Sequence, residues 1–229
     1  MTNKTQNTTH EEQASYFYRN GLTIVFMILF LSTLLGQALT GWKVYNETLA
    51  DSGIKPILFQ NYIHTGHFFS ATFENFESEF LQMALYVVFT ISLRQKGSAE
   101  SKKLFEKEEV DREPRVHIKA PWPVKKGGWV KKIYCHSLSL CFFMLFLISW
   151  YVHFLGSKSD YNFEQRLDNQ PTVTSFEYLT KPEFWFETFQ NWQSEFISIA
   201  AIVFFTIYLR QKGSPESKPV DAPHMETGK

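Results

Sequence analysis

Two glutamates, Glu79 and Glu195, stand at the entrances of apolar runs and are the residues of this sequence best placed to do chemistry. A carboxylate at the head of an apolar helix is costly against lipid and usually faces a bundle interior or water. Gln82 and Ser198 lie about one turn deeper on the same runs, and Gln37 and His153 sit on two other apolar blocks. Together these six side chains are suited to holding a proton or a cation. The alternative is a pair of carboxylates in the outer headgroup zone near helix N-termini, where negative charge is favoured by roughly 0.3–1 kcal/mol. His153 is likewise open to two readings, an interfacial residue or a proton relay.

Other chemistry is poorly supported. His64 and His67 have H-x-x-H spacing, but no third ligand accompanies them, so no metal site is expected. Cys135 and Cys141 fall on different helix faces and form neither a close-spaced metal pair nor a disulfide framework. Ser-His-Asp, zinc-helix, phosphate-loop and CxxC patterns are missing, so neither an enzyme nor a cofactor is expected. The 23 basic residues balance the 23 acidic ones, which excludes the basic footprint of a nucleic-acid binder.

The elements that position these residues occur twice. Thr72 to Lys102 matches Thr188 to Lys218 at 20 of 31 positions without a gap, at an offset of 116 residues. The same offset places Tyr18 on Tyr134, Leu22 on Leu138 and Tyr45-Asn46 on Tyr161-Asn162. Each copy has a long apolar block, Leu22 to Leu39 or Ile133 to Leu155, of the length that crosses a hydrocarbon core. Each also has a short one, Phe80 to Leu93 or Phe196 to Leu209. Phe73, Phe76 and Phe80, like Phe189, Trp192 and Phe196, recur at helical spacing, so these helices are expected to begin near Thr72 and Thr188 and to span. The first block follows a polar leader and resembles a signal segment in position, but its counterpart in the second copy cannot be one.

The charge pattern sets the orientation. Arg94 to Lys132 carries 12 Lys plus Arg, against two in Gly41 to Glu79 and three in Gly156 to Glu195, so the middle segment stays in the cytoplasm. The expected fold is an all-α membrane protein of four transmembrane helices, two tandem parallel two-helix repeats, with short interfacial helices in the outer loops. Its parts are a polar tail over residues 1–17, a first repeat over 18–103, a cytoplasmic linker over 104–132, a second repeat over 133–218 and a C-terminal tail over 219–229. Both termini are expected in the cytoplasm.

The short runs end in Arg94-Gln95-Lys96-Gly97 and Arg210-Gln211-Lys212-Gly213, cations in the last turn followed by a glycine suited to a left-handed cap. The following Ser-x-Glu-Ser-Lys reads as a second cap or a docking turn. Lys125, Lys126, Lys131 and Lys132 would meet anionic headgroups or serve as a topology anchor. Pro121-Trp122-Pro123 and Gly127-Gly128 mark an extended linker.

The repeated N-[FW]-[EQ]-S-E-F, followed by an apolar run and R-Q-K-G-S-x-E-S-K, resembles a family of uncharacterised bacterial membrane proteins with NWQSEF-like and RGSxESK-like motifs. This chain has Arg-Gln-Lys-Gly where the family pattern has a shorter Arg-Gly. The resemblance implies a multi-pass protein of the bacterial inner membrane and brings no activity with it. The expected role is structural or interactive, through self-association or a membrane-protein partner in the lipid bilayer. The alternative is a small transporter or channel using Glu79 and Glu195 near the repeat axis. Reporter fusions at Tyr62 and Glu109 are expected to lie on opposite sides of the membrane; a same-side result contradicts four spans.

Overall fold

The computed structural model describes residues 15–228, so most of the tail expected over residues 1–17 and the last residue of the C-terminal tail lie outside the described residues. Those residues form eight α-helices and no strand: α1 (Tyr16–Asp51), α2 (Phe59–Tyr62), α3 (Gly66–Ser92), α4 (Trp122–Lys126), α5 (Gly128–Cys135), α6 (Ser137–Leu167), α7 (Ser175–Leu179) and α8 (Pro182–Tyr208). The all-α class is as expected. The order of a long helix, a one-turn helix and a 27-residue helix occurs twice, as α1-α2-α3 and α6-α7-α8. The chain divides into two compact units, residues 1–68 and 69–229.

In the first unit, α1 runs without an internal proline and stops at Gly53, whose φ of 73° is the left-handed geometry of a C-terminal cap. Its counterpart after α6 is Asn169, at φ 56°, the residue type that tolerates this region best after glycine. Both long helices are then tied to the loop that follows. The Asn46 side chain accepts from the Ile57 amide at 2.8 Å and donates to the Ile57 carbonyl at 3.1 Å. In the second unit, Asn162 does the same with Val173, at 2.7 and 3.0 Å. An asparagine thus imitates a strand neighbour for one residue of extended chain, and the loop continues into a short helix that buries a tyrosine, Tyr62 or Tyr178. The loops after α1 and α6 hold the short helices α2 and α7, the latter with a reciprocal Thr174–Glu177 capping box.

The helices α3 and α8 begin six residues earlier than the aromatic spacing indicated, at Gly66 and Pro182. Proline suits a first helical turn, where its missing N–H is not needed. At 27 residues each helix is about 40 Å long. Their C-terminal turns are the same structure made twice. Arg94 Nη1 donates to the Thr90, Ile91 and Leu93 carbonyls, and Arg210 Nη1 to those of Thr206, Ile207 and Leu209. The Gln95 and Gln211 amides donate to Ser101 and Ser217 Oγ, both at 2.9 Å, while Gly97 and Gly213 turn the chain at φ 85°. The repeated Ser-x-Glu-Ser is therefore part of a cap: its last serine holds the turn through the Gln95 or Gln211 amide, while the arginine satisfies carbonyls that the helix end leaves free. Lys96 and Lys212 remain exposed.

Two expectations are corrected. The segment around Pro121 to Gly128 is not extended: Pro123 sits in the first turn of α4, and Gly127 at φ 70° ends α4 and starts α5. The second long block is not one helix from Ile133, because His136 at φ −117° interrupts it between α5 and α6.

Many large apolar side chains are exposed along the helices, and several small polar ones are buried between them. Leu22, Phe26, Leu31, Phe143, Leu147, Ile197, Phe204 and Ile91 are exposed, whereas Ser70, Ser78, Gln82, Ser149, Ser157 and Thr188 are buried. Small hydroxyl residues at helix contacts allow close backbone approach, as in lipid. Two helices, α1 and α6, are long and apolar enough to cross a membrane.

A Cβ at Gly97 would lie 2.7 Å from the His224 carbonyl oxygen, while one at Gly213 meets nothing within 4 Å. Gly213→Ala is expected to cost about 1–2 kcal/mol of left-handed strain, and Gly97→Ala clearly more. Thermal unfolding in detergent measures both, and equal losses would contradict the packing of the C-terminal tail against the first turn.

Candidate functional site at a buried histidine

Three helices of the second unit, α3, α6 and α8, meet around His153, which has no exposed surface. Gly156, Ser149 and Ser157 on α6 and Thr188 on α8 are also buried, so small side chains bring the helices close enough for the longer acidic ones to reach the ring. Phe184 closes one side, with its centroid 5.3 Å from the imidazole, and belongs to a buried cluster with Phe154 and Tyr178.

Both ring nitrogens face carboxylates. His153 Nδ1 lies 2.9 Å from Glu77 Oε2, and the other Glu77 oxygen accepts from Trp192 Nε1 at 3.1 Å. His153 Nε2 lies 3.4 Å from Glu187 Oε2 and 3.9 Å from Glu74 Oε2. Ser157 Oγ donates to Glu187 Oε2 at 2.8 Å and is bonded in turn to the Tyr178 hydroxyl. Burial pushes the Tyr178 phenol above its ordinary range, so it remains protonated.

The hydrogen-bond inventory restricts what this centre can hold. A neutral imidazole has one N–H and one lone pair, whereas an imidazolium has two N–H groups. If Nδ1 donates to Glu77, a bare lone pair on Nε2 would point at two carboxylates, so a positive species is needed there. A proton or a metal ion meets that need.

The polar residues continue outward along one face of α6. His153, Ser157, Asp160 and Glu164 are spaced by four, three and four residues and grade from buried to half-buried to exposed. At the repeat offset of 116, the corresponding residues on α1 are Gln37, Gly41, Val44 and Thr48, none of them ionisable. The counterparts of Glu74, Glu77 and Glu187 are Gln190, Gln193 and Ala71. The ionisable residues of this centre come from both copies, and at the matching position of the other copy none of them is ionisable. Gly41 also fits its own surroundings: Tyr62, the counterpart of Tyr178, packs so close that a Cβ at Gly41 would lie 2.3 Å from its hydroxyl, which instead pairs with His67 Nδ1 at 3.0 Å.

The residues singled out from sequence divide into separate groups. Glu79 and Glu195 lie close enough to interact electrostatically. Gln82 Nε2 donates to Ser198 Oγ at 2.6 Å and to the Glu195 carbonyl at 2.7 Å. These four residues therefore form one polar group between α3 and α8. His153 does not join them but pairs with Glu77, and it is buried in protein instead of interfacial. Gln37 belongs to the first unit. Glu74, Glu77 and Glu187 went unremarked because they lie on different helices from His153, with no short motif to connect them. The sequence signal that marks them is the contrast between copies: an otherwise matched repeat exchanges Glu for Gln, or for Ala, at these positions.

A family model described as a domain of unknown function, DUF6766, matches residues 13–229. This chain belongs to the DUF6766 family. No curated protein and no solved structure matches it. In this DUF6766 chain, Glu77→Ala would leave both His153 Nδ1 and Trp192 Nε1 without their acceptor, a loss of about 3–5 kcal/mol for a broken buried pair. Trp192→Phe removes one hydrogen bond and should cost about 1 kcal/mol. Unfolding in detergent is expected to rank them in that order, and a Glu77→Ala protein as stable as the parent would contradict the pairing.

Proposed function

We propose that this protein is a four-span protein of the bacterial inner membrane that takes up and releases a positively charged species at His153. It is a binding and translocation protein and not an enzyme. The observation that carries this reading is the position of His153 Nε2, fully buried and facing the Glu74 and Glu187 carboxylates. Ionisable residues inside a membrane protein are costly and are kept at ion pathways and proton relays. The graded stripe from His153 to Glu164 supports an entry route from the outer side, and the contrast with Gln37, Gly41, Val44 and Thr48 supports a role beyond helix packing.

Four spans are supported by the exposed apolar faces of α3 and α8, with Phe89 and Ile91 on one and Phe204 and Phe205 on the other. The basic middle segment favours a cytoplasmic linker. Contacts between residues 116 apart, Glu79 with Glu195 and Gln82 with Ser198, support a two-fold relation between α3 and α8. Anionic headgroups are the natural partners of the exposed Lys96 and Lys212.

A second reading, a structural or interaction protein, is favoured by the enclosed tail. Lys218 Nζ donates to the carbonyls of Gly97, Pro223, His224 and Glu226, which ties the chain's end to the first capping turn.

Proteoliposomes containing a pH-sensitive dye separate these readings. Proton flux is expected in the parent and is expected to be lost in His153→Gln. Flux that survives in His153→Gln but disappears in the Glu79→Gln, Glu195→Gln double variant moves the path to that pair. A folded parent without flux leaves the structural reading.

A further inference from the structure

The space beside His153 Nε2 has the donor set of a metal site. The Nε2 atom and one carboxylate oxygen from each of Glu74 and Glu187 all lie within 4.8 Å of one another. The two separations from Nε2, 3.4 and 3.9 Å, are close to the ligand spacing set by bonds of about 2.0–2.2 Å to nitrogen and oxygen. A movement of the Glu74 side chain toward Nε2 would bring that separation into the same range. That shift is feasible, because the Glu74 and Glu187 side chains keep 25% and 39% of their surface exposed while the ring is fixed. The same exposure leaves room for water in the remaining coordination positions.

The surroundings supply what an isolated cluster of acids lacks. A metal-bound histidine usually donates its other N–H to a carboxylate, which fixes the ring and strengthens the ligand. Glu77 is in that position relative to Nδ1, and Trp192 holds Glu77 from behind. Ser157 fixes Glu187 in the same way. At the repeat offset the three ligand positions correspond to Gln190, Gln37 and Ala71, so none of the three ligands recurs at its matching position.

We infer that Glu74, His153 and Glu187 bind one divalent first-row transition-metal ion, with Glu77 as the positioning residue for His153. One imidazole and two carboxylates suit manganese, iron, cobalt or zinc better than magnesium or calcium, which prefer oxygen throughout. The inference rests on the reading of the His153 centre as an ion site and names the ion's class.

The test uses the full chain in detergent, stripped with a chelator, desalted and titrated with Co2+. One equivalent is expected, with visible d–d bands of nitrogen and oxygen ligation that Zn2+ abolishes and excess Mg2+ does not. His153→Ala, Glu74→Gln and Glu187→Gln should each weaken Co2+ binding by about 100-fold or more, and Glu77→Gln by about 10–100-fold with unchanged stoichiometry. His64→Ala should have no effect. Glu74→Gln and Glu187→Gln, partly exposed and nearly isosteric, are the variants least prone to misfolding, and circular dichroism confirms the fold of each. A folded parent that binds no Co2+, or Co2+ binding that is unchanged in Glu74→Gln and His153→Ala, overturns the inference. If proton flux nevertheless persists, the ion-site reading stands without a metal; if flux is also absent, both fall.

Discussion

A buried imidazole with carboxylates at both nitrogens constrains everything around it. Each polar atom in an apolar setting needs a partner, and leaving one unpaired costs more than the pairing contributes. Here the partners come from three helices: Glu74 and Glu77 from α3, Glu187 and Trp192 from α8, and His153 with Ser157 from α6. A helix that slides or rotates by one residue breaks several of these contacts together. The register of the second unit is therefore specified by polar pairing, while the apolar faces directed outward tolerate many arrangements. Small buried residues such as Ser149, Gly156 and Thr188 set how closely the helices approach, and the polar centre sets where they stop.

The two capping turns show how sequence identity and function can part company. The longest identical stretch in the chain, Leu93-Arg-Gln-Lys-Gly-Ser98 against Leu209-Arg-Gln-Lys-Gly-Ser214, builds the same hydrogen bonds twice, with the arginine guanidinium collecting carbonyls that a helix end leaves free. Local geometry alone demands that pattern, so it recurs unchanged. The ionisable residues around His153 are among those at which the copies diverge. In a duplicated chain, similarity marked the scaffold and difference marked the candidate site.

The all-α class, the short helices after the long blocks and the caps were legible in the sequence, because each depends on residues close together along the chain. Apolar run length, the Gly97 and Gly213 turns and the polar loop residues are signals of that kind. The linker was misread: proline was taken as a helix breaker, but Pro123 stands in a first turn where it breaks nothing. The pairing of His153 with Glu77 was not legible, since it joins residues 76 positions apart on separate helices. Glu79 and Glu195 were found by their position at the head of an apolar run, a rule that applies equally to Glu77, two residues away on a different face of the same helix.

The glycine at position 41 carries a consequence for how the two halves could have diverged. Restoring a serine there, to match Ser157, would place a carbon atom 2.3 Å from the Tyr62 hydroxyl, which already occupies that space and bonds to His67. Copying the second half's residues into the first one at a time thus meets a steric barrier at its first step on this helix face. Recombination between the duplicated gene segments can keep the capping turns alike without penalty. In the long helices the same exchange meets the Tyr62 hydroxyl, so the two faces cannot be made alike by simple copying.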